Sequence, residues 1–90
     1  MGAVMDFRLS RHAEWELSRR QIPRELLEAV VQNPEQRLSQ LGGTEIRQSR
    51  VTFEDGRMYL LRAVVSLTKE PPLVVTVYRT SKIEKYWRLT

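Results

Sequence analysis

The hydrophobic period of this chain changes at Asn33-Pro34, and that change restricts the fold more than any other feature of the sequence. Before it, Leu26, Leu27, Val30 and Val31 recur at the three-to-four spacing of an amphipathic helix. After it, Glu45 to Phe53 alternates, with Arg47, Ser49, Val51 and Phe53 on one side and Ile46, Gln48, Arg50 and Thr52 on the other. Proline forces the residue before it out of the helical region, so the helix ends there. Helical period first and strand period afterwards predicts an α+β fold.

The punctuation supports two N-terminal helices, an antiparallel meander of three or four strands and a short C-terminal helix. Phe7-Arg8-Leu9 reads as a short edge strand or an extended lead-in, and Ser10 as the N-cap of a helix over Arg11 to Arg20. Ala13 and Leu17 form its apolar face, with Trp15 and later Trp87 read as core rings because of the area each can bury. Ile22-Pro23 restarts the chain into the second helix. Gln36 to Leu41 reads as a strand, and Gly42-Gly43 as a turn. Asp55-Gly56 is a strong hairpin signal between Glu45–Phe53 and Met58–Leu67, and Leu73 to Thr80 reads as a central strand. Ser81 to Trp87 reads as a helix opened by a capping box, with Glu84 three residues after Ser81.

Ninety residues suit one domain over residues 1–90, with a core from about 7 to 87. Without cysteine, disulfides and thiolate metal sites are excluded, and a single histidine makes a conventional metal centre an unpromising reading. No cofactor is expected, since Gly42-Gly43 lacks the later glycine and lysine of a phosphate loop. No apolar run is long enough to span a membrane, and Met1 to Asp6 carries neither a secretory nor a myristoylation pattern, so a cytoplasmic location is expected. The net charge of +4, carried mostly by arginine, suits an anionic partner.

Two stretches carry a family resemblance. The first runs through His12-Ala13, Leu17, Arg20, Ile22 and Asn33-Pro34; the second is Val75-Thr76-Val77-Tyr78-Arg79-Thr80-Ser81-Lys82-Ile83 with Lys85-Tyr86-Trp87. Together they resemble family 4258 of the domains of unknown function, over about Phe7 to Trp87. Glu16 stands where that family usually has arginine, and Gln21 where it usually has glycine. The layout is similar to the BrnT and RelE ribonuclease toxins, which implies an RNA-directed module of the toxin–antitoxin kind.

Metal-free RNA cleavage needs a base, an acid and cations for the transition-state charge. His12 is the one side chain whose ordinary pKa suits proton transfer at neutrality, and Arg79 and Lys82 are candidate charge stabilisers. Tyr86 is a candidate proton donor or stacking group. Arg20, Arg47, Arg50, Tyr78 and Lys85 are candidate RNA contacts. Each also has a structural reading: a helix-start hydrogen bond for His12, pairing of Arg79 with Glu14 or Glu16, a solvated face for the lysines, and sheet packing for Tyr78. The competing function is a non-catalytic domain docking an acidic protein, such as an antitoxin, through an arginine-rich face. A homodimer is compatible with the small size and the sheet edges.

Overall fold

A computed structural model describes residues 6–89, and the leader reading of residues 1–5 lies outside it. The element order is β1 (Arg8–Leu9), α1 (Arg11–Arg19), α2 (Arg24–Gln32), β2 (Gln36–Ser39), β3 (Thr44–Thr52), β4 (Met58–Ser66), β5 (Leu73–Thr80) and α3 (Ile83–Tyr86). This is the expected α+β layout, with the meander β2-β3-β4-β5 antiparallel throughout. β1 adds a fifth strand, parallel to β5, and the sheet order is β1-β5-β4-β3-β2. None of the described helices is long and apolar enough to cross a membrane.

Local chemistry accounts for each helix end. Ser10 caps α1: its Oγ accepts the Ala13 amide at 3.0 Å and donates to the Val75 carbonyl at 2.8 Å, tying the helix start to β5. α1 ends in a Schellman motif, with the Ile22 amide on the Leu17 carbonyl and the Gln21 amide on the Ser18 carbonyl. Gln21 takes the left-handed position with φ of 53°, the place where glycine is least strained. Pro23 precedes the first turn of α2 as its N-cap, and Asn33 terminates that helix. The β3–β4 hairpin closes through Gly56 at φ of 78°, its amide bonding the Phe53 carbonyl.

The core lies between α1, α2 and one face of the sheet. Ala13, Leu17, Leu27, Val30 and Val31 meet Leu61, Ala63, Val65, Val74 and Val77 there, all of them buried. Val74 and Val77 are three apart, a spacing that a regular strand cannot turn to one side. An irregularity in the β4–β5 register reconciles them: Val65 pairs with Val74 and Val64 with Thr76, leaving Val75 as the extra residue. Each buried leucine or valine contributes about 1.5–3 kcal/mol.

Four expectations are corrected. Trp15 is 55% exposed on the outside of α1 rather than in the core. The last helix is one turn, and Ser81 does not cap it: Lys82 is the N-cap, without a side-chain cap bond, while the Thr80 hydroxyl accepts the Lys82 amide. The strand β2 ends at Ser39, because Leu41 and Gly42 already belong to the turn. The sheet is mixed rather than purely antiparallel, since the lead-in Arg8–Leu9 hydrogen-bonds beside Leu73 and Val74.

Candidate functional site

Alternation along β5 sends neighbouring residues to opposite faces, and the candidate residues divide accordingly. On the helix-covered face Arg79 pairs across the ladder with Leu61 and sits past the end of the apolar core. Its guanidinium lies 4.4 Å from the Phe53 ring centre and 4.7 Å from that of Tyr59. The two rings meet edge to face at 5.2 Å. Arg79 has no ion pair among the described residues; Glu14 is taken by Arg24 and Glu16 by Arg19 and Arg20.

Two adjoining hollows open on Arg79 and share Gln21. One, of about 560 Å³, is bounded by Pro23, Phe53, Glu54 and Asp55; the other carries Arg19, Arg20, Tyr59, Thr80 and Ser81. Arg20 is thus brought to Arg79, as the end of α1 runs alongside the end of β5. Within the cleft the Tyr59 hydroxyl donates to Asp55 at 2.5 Å, and the Arg57 amide donates to the same carboxylate. The Tyr59 bond, followed by that of Arg57, holds the Asp55 carboxyl below its ordinary pKa. The reciprocal bond holds the Tyr59 hydroxyl above its ordinary value. Asp55 is therefore a weak base, and Tyr59 a neutral hydroxyl whose proton is already engaged.

His12 is elsewhere. It stands at the start of α1, eight residues before Arg20, which is about 12 Å along the helix. Its Nε2 lies 3.7 Å from Glu16, and its ring tilts against Trp15. Glu16 is a hub for that helix. Burial pushes its carboxyl up, and the hydrogen bonds and charges of Arg19 and Arg20 outweigh burial, so its pKa ends below the ordinary value. Glu16 thus makes this stretch of α1 an ion cluster with Arg19 and Arg20 rather than a purely basic surface.

Arg47 and Arg50 are likewise engaged within the fold. Arg47 donates to Glu45 at 2.6 Å and to the Val31 carbonyl at 2.7 Å, closing a free carbonyl in the last turn of α2. Arg50 grips Glu35 through two guanidinium nitrogens and stacks on Trp87 at 4.2 Å.

The opposite face holds Tyr78 and Tyr86. Gln36, Gln48, Arg62 and Tyr78 are successive cross-strand partners, one from each strand of the meander. Hydrogen bonds follow that row: Gln48 Nε2 donates to Gln36, Arg62 Nε to Gln48, and Arg62 Nη1 to the Tyr78 hydroxyl at 2.6 Å. α3 sits on the row through the Tyr86 carbonyl, which accepts from Gln48, and the Tyr86 ring, 4.2 Å from the Arg62 guanidinium. Lys85 approaches the same ring at 5.3 Å, and Lys82 is exposed at the entry to α3.

Sequence reasoning did not single out Tyr59, Asp55, Arg62 or Gln48. Asp55 lies in the turn of a recognisable hairpin and Tyr59 at the start of its second strand, and their four-residue separation was the available signal. For Arg62 the signal was an arginine in the middle of an otherwise apolar strand, where a solvent-facing side chain is the ordinary expectation. No group of three or more His, Cys, Asp or Glu residues suited to a metal occurs among the described residues.

No curated protein and no solved structure matches the chain. A family model described as a domain of unknown function (DUF4258) matches residues 9–79, from the last residue of β1 to Arg79 in the cleft, leaving α3 outside. On that match, which takes in well over half of its length, the chain belongs to the DUF4258 family.

Proposed function

We propose that the protein is an RNA-binding module similar in layout to the BrnT and RelE toxins, engaging the phosphodiester backbone in the cleft around Arg79. The observation that carries this reading is the state of Arg79 itself. Its guanidinium is oriented by two aromatic rings, borders Arg19, Arg20, Thr80 and Ser81, and has no carboxylate within ion-pair distance among the described residues. A pre-oriented, unpaired guanidinium beside hydroxyls and further arginines suits a bidentate phosphate contact.

The same geometry favours binding over cleavage. The cleft supplies cations, but the Asp55 carboxylate is made a weaker base and the Tyr59 hydroxyl a weaker acid than usual, neither suited to proton transfer at neutrality. His12 stands at the other end of α1, its Nε2 3.7 Å from Glu16. Charge stabilisation without a poised base fits a module that holds RNA, or one that needs a further component to complete a cleavage site.

The test is fluorescence anisotropy of a labelled single-stranded RNA with the wild type and Arg79→Ala, run at two salt concentrations. The wild type should bind with an affinity that falls as salt rises. Arg79→Ala should bind more weakly, with a salt slope reduced by about one, and keep its thermal unfolding midpoint. A denaturing gel of the same RNA in chelator should show it intact. Cleavage by the wild type would restore the endoribonuclease reading. Absence of any RNA affinity would overturn the proposal and transfer the cleft to an acidic protein partner.

A further inference from the structure

The row beneath α3 contains a cation that the protein itself does not neutralise. Arg62 is 6% exposed, and its hydrogen-bond partners, Gln48 and Tyr78, are both neutral. No ion pair to it occurs among the described residues, whereas Arg19, Arg20, Arg37, Arg47 and Arg50 all have carboxylates. Burial of a charge without a counterion is costly; hydrogen bonds to neutral groups and a stacked ring offset only part of that cost. An uncharged side chain of similar length would tie the strands together without the penalty. The charge therefore calls for a use.

The donor pattern indicates what the use is. Nε and Nη1 of Arg62 are committed to the row, but Nη2 has no hydrogen bond among the described residues. Among the described residues no fully enclosed side-chain nitrogen or oxygen lacks a partner, so Nη2 is not completely sealed in. The Tyr78 oxygen accepts from Arg62, which turns its own proton away from the guanidinium, and that proton has no acceptor among the described residues. Two unclaimed donors, one of them cationic, thus belong to side chains already joined by a hydrogen bond at the end of the row. A second cation, Lys85, approaches the same Tyr86 ring that covers Arg62. Glu35 is already bound to Arg50 on β3.

We infer that Arg62 and Tyr78 form an oxyanion site for a phosphate group, on the face of the sheet opposite the Arg79 cleft, with α3 as its lid and Lys85 at its rim. A phosphate oxygen there would accept from Arg62 Nη2 and from the Tyr78 hydroxyl, both charge-assisted bonds. The shared chemistry is the phosphate oxyanion, whether free or carried on a nucleotide. This site is independent of the RNA reading, since Tyr78 and Arg79 face opposite ways.

Titration of the full chain with inorganic phosphate, followed through the arginine Nε–H and tyrosine ring signals by NMR, tests it at constant ionic strength. Saturable shifts at Arg62 and Tyr78 are expected, separate from any response of Arg79 in its own cleft. Tyr78→Phe keeps the ring and removes one donor, so its phosphate affinity should fall about tenfold or more, as loss of one bond to a charged group implies. Arg62→Gln should abolish saturation; if that variant does not fold, Tyr78→Phe alone decides. A parallel titration with a nucleoside monophosphate assigns the source: tighter binding than phosphate indicates a nucleotide, equal or weaker binding the free ion. Shifts confined to Arg79, the lack of saturable shifts at Arg62, or unchanged affinity in Tyr78→Phe would each overturn the inference.

Discussion

Tyr78 and Arg79 are neighbours in sequence that serve opposite faces of the sheet: the Tyr78 hydroxyl meets Arg62 under α3, and the Arg79 guanidinium rests on Phe53 and Tyr59 beside the end of α1. The division follows from strand geometry alone. It separates the basic and aromatic residues of the C-terminal third into two sites with different chemistry. The helix-face site is a cleft with an unpaired arginine; the other is a hydrogen-bonded row with a buried one.

Tyr59 links the cleft to the hairpin, and its two roles can be separated. Tyr59→Phe keeps a ring under Arg79 but removes the hydrogen bond to Asp55. The Asp55 carboxyl, held below its ordinary 3.8 chiefly by that bond, should move up toward the ordinary value. Carboxyl-carbon NMR across an acid titration reads the change directly. The same Asp55 titration in both proteins would mean that the Arg57 amide and the nearby arginines, not Tyr59, hold the carboxylate.

Ser10 acts at two places with one hydroxyl. It accepts from the Ala13 amide at the start of α1 and donates to Val75, the extra residue in the β4–β5 pairing. Ser10→Ala should destabilise the fold by about 1–2 kcal/mol in urea denaturation, at the upper part of the range for a lost cap. Ser10→Asp can accept but cannot donate while ionised, so it should recover only the helical share. Ser10→Thr should recover most of both. Full recovery by aspartate would show that the bond to β5 contributes nothing.

Gln21 occupies the left-handed position of the Schellman motif that ends α1. A residue with a Cβ is strained there, and glycine is not. Gln21→Gly should therefore stabilise the protein by roughly 0.5–1 kcal/mol, the relief of strain being partly offset by the greater freedom of glycine in the unfolded chain. The urea midpoint should rise with an unchanged slope. A lower midpoint would mean that Gln21, which also lines both hollows of the cleft, makes contacts worth more than its backbone strain.

Elements were legible wherever their signal is local. The cap at Ser10, the helix stop at Asn33, the Asp55-Gly56 hairpin and the change of period each depend on a few adjacent residues, and each occurs in the structure. Side-chain partners across the sheet were not legible, because register joins residues distant in sequence. Arg62 meets Gln48 and Tyr78 only through the pairing of β4 with β3 and β5. The same limit hid the engagement of Arg47 and Arg50, which look like surface cations until Glu45 and Glu35 are brought beside them. Trp15 misled for a different reason: its size suggests burial, but on α1 the buried positions are Ala13, Glu16 and Leu17, and Trp15 falls outside that stripe. The Ser81 capping box failed because Thr80 binds the Lys82 amide and the helix begins at Ile83.

The internal ion pairs make acid the condition under which the fold should weaken. Burial pushes the Glu45 carboxyl up, but hydrogen bonds and charges from Arg47 and Arg37 prevail, leaving it below its ordinary 4.5. Glu16 and Glu35 are depressed as well, Glu35 chiefly by the Arg50 side chain. A carboxyl that is more acidic folded than unfolded stabilises the fold above its unfolded pKa, and that contribution is lost as pH falls through the folded pKa. Stability should thus hold near neutrality and decline below about pH 4.5, where the unfolded chain takes up protons first. Glu45→Gln, which keeps the shape and removes one such group, isolates its share. The variant should be less stable than the wild type near neutrality, with Arg37 and Arg47 left without their carboxylate, and the gap between them should narrow in acid. Urea midpoints measured from about pH 7 to about pH 3 decide the matter. A gap that stays constant across that range would mean that Glu45 acts through packing rather than through its charge.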